Sequence, residues 1–168
     1  MKDKTVLFVD DEMSILNTIK RLLRNEEYTL LIASSAQEGL EILHQHQVDL
    51  VISDMRMPNV SGSEFLAMVK DQYPKVQRMI MSGYADLESV VETINQGNIS
   101  HFISKPWDND DLKKLILDHL VNRRSLESDG IQESKEILKY KKIILEQQQT
   151  INDLQNQLEQ YRVHKDVC

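Results

Sequence analysis

The sequence predicts a doubly wound α/β fold with a parallel sheet of five strands, followed by a helical extension. Three observations lead to this prediction. Five short apolar runs recur along residues 1–120, as in strands that are buried on both faces of a parallel sheet. A segment with helical spacing of its apolar residues follows each run. This strict alternation implies right-handed crossovers, which place helices on both faces of the sheet.

The elements follow one another in a regular order along the chain. The predicted strands are Thr5–Val9, Tyr28–Ala33, Leu50–Ser53, Gln77–Met81 and His101–Ser104. The apolar residues that mark the five predicted helices are Ile15, Ile19, Leu22 and Leu23; Leu40 and Leu43; Phe65, Leu66 and Val69; Val90, Val91 and Ile94; and Leu112, Leu115, Ile116 and Val121. The residues predicted to cap the helix N-termini are Ser14, Ser35, Ser61, Asp86 and Asp108.

Charge divides the chain into two parts. The first 120 residues hold twelve basic and nineteen acidic side chains, whereas residues 121–168 hold eight of each. We therefore expect two domains, 1–124 and 125–168, with a border near Ser125–Gly130. The net charge of -7 argues against general nucleic-acid binding, which requires a basic face. No apolar run is long enough to span a bilayer, and we expect a cytoplasmic protein without membrane contact.

Polar residues follow four of the predicted strands. In open α/β sheets, ligands bind beyond the carboxyl ends of the strands, so these residues are expected to converge. Clustered carboxylates repel one another unless a cation lies among them, and oxygen ligands of this kind suit Mg²⁺. Together with an ammonium and a hydroxyl, they provide what a phosphoryl transfer to a carboxylate requires. The strand ends are Asp10-Asp11-Glu12, Asp54, Ser82-Gly83 and Lys105-Pro106.

Taken one at a time, these residues have simpler interpretations. The acidic run Asp10-Asp11-Glu12 fits a solvated helix N-terminus, where negative charge is favoured. Asp54 fits the start of a loop, and Lys105 fits a surface lysine before a turn. The ordered set of four strand ends is what favours a functional site.

Three segments resemble a known family. The segments Val6–Glu12, Leu50–Pro58 and Phe102–Trp107 carry the polar ends of strands one, three and five. In sequence and order they closely resemble the receiver domain of bacterial two-component response regulators, from about Lys4 to Arg123. The resemblance implies a flavodoxin-like sheet with strand order 2-1-3-4-5. It also implies a phosphorylated signalling domain at residues 1–124 rather than an enzyme.

The resemblance assigns roles to the acidic residues. Asp54 is the implied phosphoacceptor, which attacks a phosphohistidine of a sensor histidine kinase or a phosphotransfer protein. Asp11 and Asp54 are implied side-chain ligands of Mg²⁺, with the Arg56 main-chain carbonyl as a third protein ligand. Asp10 is expected to act through a metal-bound water. In this family the Lys105-Pro106 peptide bond is usually cis, which proline permits.

The resemblance also implies a switch. Ser82, where the family more often has Thr, is expected to bind one phosphoryl oxygen, and Lys105 another. Phe102, where Tyr is frequent, is expected to turn inward and reshape the face formed by the fourth helix, the fifth strand and the fifth helix. Ordinary core packing remains an equal alternative for Phe102. Arg56 and Tyr84 flank the site and are expected to shield the acyl phosphate from water.

The tail shows a seven-residue repeat. Position a would hold Ile137, Ile144, Ile151 and Leu158, and position d Tyr140, Gln147, Leu154 and Tyr161. The pattern predicts a coiled coil and a homodimer. An amphipathic helix that packs on its own receiver, or in a groove of a partner, is the alternative. The contacts expected in the dimer are Ile137, Ile144, Ile151, Leu154 and Leu158.

Three interpretations of the output remain open. A neutral helical tail of this length is not a DNA-binding domain, so output through contacts with an unknown downstream protein is expected. Alternatively, the chain is part of a longer regulator whose effector domain is absent, or the receiver fold is only a dimeric scaffold. A haloacid-dehalogenase-like phosphatase is disfavoured. That family has a second Asp two residues after the nucleophilic Asp at the end of the first strand. Here Glu12 lies two residues after Asp10, and Met13 lies two residues after Asp11.

Overall fold

The structure is a computed structural model, which describes residues 3–83, 93 and 99–121. All five predicted strands form in a single sheet, and every neighbouring pair is parallel. Their order is β2-β1-β3-β4-β5, which confirms the flavodoxin-like topology. The strands are β1 Thr5–Val9, β2 Thr29–Ala33, β3 Leu50–Asp54, β4 Gln77–Ser82 and β5 His101–Ser104.

Four of the five predicted helices lie among the described residues. They are α1 Met13–Leu23, α2 Ala36–Gln45, α3 Gly62–Gln72 and α4 Asn109–Val121, the last being the fifth helix of the sequence prediction. The fourth predicted helix, with Val90, Val91, Ile94 and the cap Asp86, lies outside the described residues. The tail from residue 125 onward, with its seven-residue repeat, lies outside them as well, so the two-domain division stays a prediction.

Each face of the sheet is covered by a separate apolar cluster. Leu43 of α2 and Phe65 of α3 pack with strand residues on one face, and Leu16 of α1 and Ile116 of α4 on the other. Burial of each such side chain contributes about 1.5–3 kcal/mol to folding. Because β1 and β3 lie in the middle of the sheet, their carboxyl ends occupy the centre of its edge. No helix within the described ranges has the length and apolar character needed to cross a membrane.

Two strands extend one residue further than the sequence predicted. The β3–β4 ladder continues to the pair Asp54 and Met81, and the β4–β5 ladder continues to Ser82 and Ser104. Asp54 and Ser82, two polar residues of the predicted site, therefore belong to strands and not to loops. Conversely, β2 begins at Thr29 instead of Tyr28, because Thr29 is the first residue paired with β1.

Helix caps explain where most helices begin. The Ser35 side chain accepts a hydrogen bond from the Glu38 amide, and Ser61 and Glu64 form a reciprocal capping box. The Asp108 carboxylate accepts from two amides of the first turn of α4. These three predicted caps are confirmed.

The predicted cap at Ser14 is wrong. Helix α1 begins at Met13, and its N-cap residue is Glu12, which makes no side-chain capping bond. The Glu12 amide instead donates to Asp10 Oδ1 over 2.8 Å. This contact turns the chain into the helix before Ser14 is reached.

Candidate functional site

The carboxyl ends of β1, β3 and β5 bring two aspartates and one lysine together. Asp10 follows β1 and is fully buried, and Asp54 ends β3 with 8% of its surface exposed. Lys105 follows β5, and its Nζ lies 2.9 Å from Asp10 Oδ2 and 2.5 Å from Asp54 Oδ1. The convergence predicted for these three residues is therefore present.

The lysine is held in its charged form. Burial by itself lowers the pKa of Lys105, but the hydrogen bonds to Asp54 and Asp10 and their negative charges oppose this effect. The net result is a pKa raised above the ordinary value for lysine. An ammonium that is only partly exposed thus remains available beside both carboxylates.

Each of the two carboxylates is oriented by a second hydrogen bond. Asp54 Oδ2 accepts from the Arg56 amide over 2.6 Å, and Asp10 Oδ1 accepts from the Glu12 amide over 2.8 Å. One oxygen of each carboxylate thus faces the ammonium, whereas the other is fixed by the main chain of the loop that follows. Charge-assisted bonds of this kind are stronger than neutral ones and set the direction of the carboxylate.

Ser82 and Asp11 lie at the same edge of the sheet. Ser82 directly follows Met81, the register partner of Asp54, and is buried to 2% exposure. Its hydroxyl donates to the Gly83 carbonyl over 3.1 Å. Asp11 lies on the loop between β1 and α1 with an exposed side chain. The Lys105-Pro106 peptide bond is cis, as expected.

The acidic residues fit a magnesium ion by their chemistry. Among the described residues, no group of three or more His, Cys, Asp and Glu side chains is arranged as a metal site. Mg²⁺, however, is typically held by only one or two carboxylates and completes its shell with water and phosphate oxygens. Asp10 and Asp54 already direct one oxygen each to a shared cation, the Lys105 ammonium. Oxygen donors that converge on one positive charge are what this ion requires.

Two further residues shape the loop after Asp54, and sequence reasoning missed both. Asn59 adopts a left-handed conformation with φ of 67°, which Asn tolerates better than most residues. Gly62 begins α3 so close to β3 that a Cβ atom would lie 1.8 Å from the Asp54 carbonyl oxygen. In this stretch the sequence predicted only the helix cap at Ser61, which does not reveal the close approach.

Phe102 is partly buried and packs against the cluster on the α2–α3 face. It also lines a groove of about 430 Å³ on the β5–α4 face, together with Trp107 and Leu115. Its position between core and groove is compatible with both roles considered for it, the switch and ordinary core packing.

Comparison with known proteins decides the family. Residues 6–117 match the response regulator receiver domain family. The chain belongs to this family. The match contains Asp10, Asp54 and Lys105, so the receiver domain includes the whole cluster described above.

Solved receiver structures resemble this one closely. A signal receiver domain of an HD domain-containing protein from Pseudomonas fluorescens Pf-5 is 35% identical, with a TM-score of 0.69 over 73% of this chain and 98% of that one. A receiver domain protein from Clostridium thermocellum is 34% identical, with a TM-score of 0.67 over 73% of this chain and 98% of that one.

Curated relatives are much longer than this chain. The hydrogenase transcriptional regulatory protein HoxA of Cupriavidus necator is 36% identical over 133 residues, which are 78% of this chain and 26% of that protein. The DNA-binding transcriptional regulator NtrC of Proteus hauseri is 33% identical over 116 residues, which are 69% of this chain and 24% of that protein. The chain thus spans about a quarter of the length of these relatives.

Proposed function

We propose that this receiver domain accepts a phosphoryl group on Asp54, in the presence of Mg²⁺, from a phosphohistidine of a sensor histidine kinase or a phosphotransfer protein. The observation that carries the proposal is the contact of the Lys105 ammonium with both Asp54 and Asp10. A carboxylate beside a fixed ammonium, at the open edge of a parallel sheet, is suited to receive an anionic group.

The transfer follows from these positions. A carboxylate oxygen of Asp54 attacks the phosphorus and the bond from phosphorus to the donor imidazole breaks. The electron pair of this bond stays on the imidazole nitrogen, which takes up a proton from water. Lys105 shifts from a carboxylate oxygen to a phosphoryl oxygen and offsets the added negative charge. Asp10, Asp11, Asp54 and the Arg56 carbonyl would hold Mg²⁺, which when bound neutralises charge on the phosphoryl oxygens.

The same site supports a switch. The Ser82 hydroxyl now donates to the Gly83 carbonyl, and in the phosphorylated state it would turn to a phosphoryl oxygen. The space that it leaves favours an inward rotation of Phe102. Contacts that exist in only one state shift the population between two packings of the β5–α4 face. Binding of a downstream protein to this face is the proposed output.

A longer regulator is the second candidate. HoxA and NtrC carry the names of transcriptional regulators, and the P. fluorescens protein that contains the matched receiver is named for an HD domain. These names favour an effector domain attached to a receiver of this type. They give no support to the expectation that the protein does not contact nucleic acid. An antibody against the receiver, applied to the source cells, distinguishes the two: a longer regulator migrates well above a chain of 168 residues.

The cytoplasmic location and the dimer through Ile144 and its repeat also stay predictions.

A direct test uses a small phosphodonor. The full chain is incubated with acetyl phosphate and Mg²⁺, and its mass is measured before and after treatment with hydroxylamine, which cleaves acyl phosphates. We expect one phosphoryl adduct, sensitive to hydroxylamine, on the wild type and on the control Asp71→Ala, which lies exposed on α3. The variant Asp54→Ala is expected to gain none. An adduct that survives in Asp54→Ala contradicts the proposal.

A further inference from the structure

The peptide unit that follows Asp54 is held at both of its polar atoms. Ser53 Oγ donates a hydrogen bond to the Asp54 carbonyl oxygen over 2.9 Å. The amide of the same peptide unit, which belongs to Met55, donates to the Met81 carbonyl over 2.9 Å. Because a peptide unit is planar, two bonds at its opposite ends fix its rotation.

Ser53 is an unusual residue for its position. It lies in the centre of the sheet, paired in register with Val9 on one side and Ile80 on the other, and it is fully buried. Central strands of parallel sheets are normally filled with apolar side chains at such positions. A buried hydroxyl costs free energy unless it is hydrogen-bonded, and the bond to the Asp54 carbonyl satisfies this requirement.

The fixed peptide unit leads directly into the site. Its rotation would displace the Arg56 amide, which donates to Asp54 Oδ2 over 2.6 Å. It would also displace the Arg56 carbonyl, the proposed ligand of Mg²⁺. On the other side, the close approach of Gly62 leaves the Asp54 carbonyl no room to swing toward α3. The Ser53 hydroxyl therefore acts at the point where the direction of the phosphoacceptor is set.

We propose that Ser53 is a positioning residue for the phosphoacceptor. Its hydroxyl holds the main chain of Asp54, so that the Asp54 carboxylate and the Arg56 carbonyl face the same cation. Ser53 acts through the main chain and needs no contact with the metal or the phosphoryl group. The inference rests on the proposed function and adds to it a residue that orients the site from inside the sheet.

The test compares Ser53→Ala with Ser100→Ala in the full chain. Ser100 is a matched control, because its hydroxyl also donates to a main-chain carbonyl, that of Arg78, at 2.9 Å in an exposed position. Three quantities are measured. Calorimetry gives the Mg²⁺ dissociation constant, and circular dichroism gives the melting temperature. The third is the rate at which acetyl phosphate phosphorylates the protein at saturating Mg²⁺. For Ser53→Ala we expect Mg²⁺ binding to be about tenfold weaker, as for other residues that orient metal ligands. We also expect its phosphorylation to be slower than that of the wild type, measured at a temperature well below the melting temperature of the variant. Ser100→Ala keeps wild-type values for both.

A second variant covers the case in which the alanine variant does not fold. Ser53→Cys preserves the volume of the side chain and replaces the hydroxyl with a weaker donor. We expect Ser53→Cys to bind Mg²⁺ more weakly than the wild type does. The inference is overturned if Ser53→Ala or Ser53→Cys has a lower melting temperature but binds Mg²⁺ with wild-type affinity and is phosphorylated at the wild-type rate.

The outcomes also separate this inference from the proposed function. A wild type that binds Mg²⁺ but gains no phosphoryl group contradicts the proposed function alone, and the Mg²⁺ affinities of the Ser53 variants still decide the inference. A wild type that binds no Mg²⁺ overturns both.

Discussion

At the scale of single residues, the buried charges at the sheet edge depend on one another. Asp10 is fully buried and Asp54 nearly so, and the Lys105 ammonium contacts an oxygen of each. Desolvation of two neighbouring carboxylates is costly, and the ammonium offsets this cost as long as its geometry is maintained. The three side chains therefore stabilise one another through their charges.

Removal of the ammonium tests this dependence. Lys105→Met leaves two buried carboxylates without their shared cation, so we expect the free energy of unfolding to fall by about 3 kcal/mol in the absence of Mg²⁺. The control Lys113→Met breaks a more exposed pair, with Glu26 at 3.5 Å, and is expected to cost less than about 1 kcal/mol. Urea denaturation measures both values. Equal losses for the two variants would show that the central ion pairs contribute no more than a surface pair.

Sequence reasoning reached some of these residues and missed others for a physical reason. Asp10, Asp54 and Lys105 were predictable, because parallel strands bring their carboxyl ends to one edge and each residue follows a recognisable strand. The bond from Ser53 to its neighbour's carbonyl was not predictable, because it depends on a local bend at the end of β3 and on a side-chain rotamer. Neither leaves a periodic signal in the sequence.

At the scale of elements, the join between β3 and α3 determines the site. The Gly62 amide donates to the Met55 carbonyl over 2.9 Å, and the capping box of Ser61 and Glu64 starts the helix at the same point. The cap was predictable from its spacing in the sequence. The contact between the helix start and the Asp54 carbonyl was not, because it results from the packing of α3 on the sheet.

Alanine substitution at two glycines tests this join. Gly62→Ala places a Cβ atom 1.8 Å from the Asp54 carbonyl oxygen, so α3 must shift and we expect a loss of about 3 kcal/mol in the free energy of unfolding. At Gly83, a Cβ atom meets no heavy atom of the described residues within 4 Å, so Gly83→Ala is the matched control and is expected to leave stability nearly unchanged. Thermal or urea unfolding decides. Wild-type stability in Gly62→Ala would contradict the described contact.

The start of α2 predicts a weak dependence of stability on pH. Hydrogen bonds from the Ser34 amide and then the Ser34 hydroxyl lower the pKa of Glu38 below its ordinary value of 4.5. A carboxyl group whose pKa is lower in the folded state stabilises the fold above its unfolded pKa, and this contribution disappears as the pH falls through the folded pKa. Because Glu38 is exposed, the contribution is small.

The expected result is a flatter acid profile for Glu38→Gln. Between neutral pH and about pH 3, this variant loses less stability than the wild type. Urea midpoints at several pH values provide the measurement. Parallel profiles for Glu38→Gln and the wild type would contradict the assigned hydrogen bonds.

At the scale of the whole molecule, the sheet topology expected from the sequence and its family resemblance is confirmed, whereas the output stays a prediction. The order 2-1-3-4-5 was implied by the family resemblance, whereas the alternation of short apolar runs with helical segments predicted a parallel sheet with right-handed crossovers. The proposed output depends on what binds the β5–α4 face and on what the tail does. Neither depends on the core pattern from which the fold was derived.

The seven-residue repeat of the tail predicts self-association that substitutions can abolish. Ile144→Asp combined with Ile151→Asp places charges at two a positions, so we expect the full chain to change from dimer to monomer. The control Gln149→Asp with Asn156→Asp places the same charges at outward positions of the same repeat and is expected to stay dimeric. Light scattering coupled to size exclusion gives the mass. A dimer that persists in the isoleucine variant excludes the repeat as the main contact.

The most direct test of the central claim is the position of the phosphoryl group. After incubation with acetyl phosphate and Mg²⁺, borohydride reduction converts a phosphorylated aspartate to homoserine, which tandem mass spectrometry locates in the peptide. We predict homoserine at position 54 and unmodified aspartate at positions 10 and 11. Homoserine at Asp10 or Asp11, or none in a protein that binds Mg²⁺, would contradict the assignment of Asp54 as the phosphoacceptor.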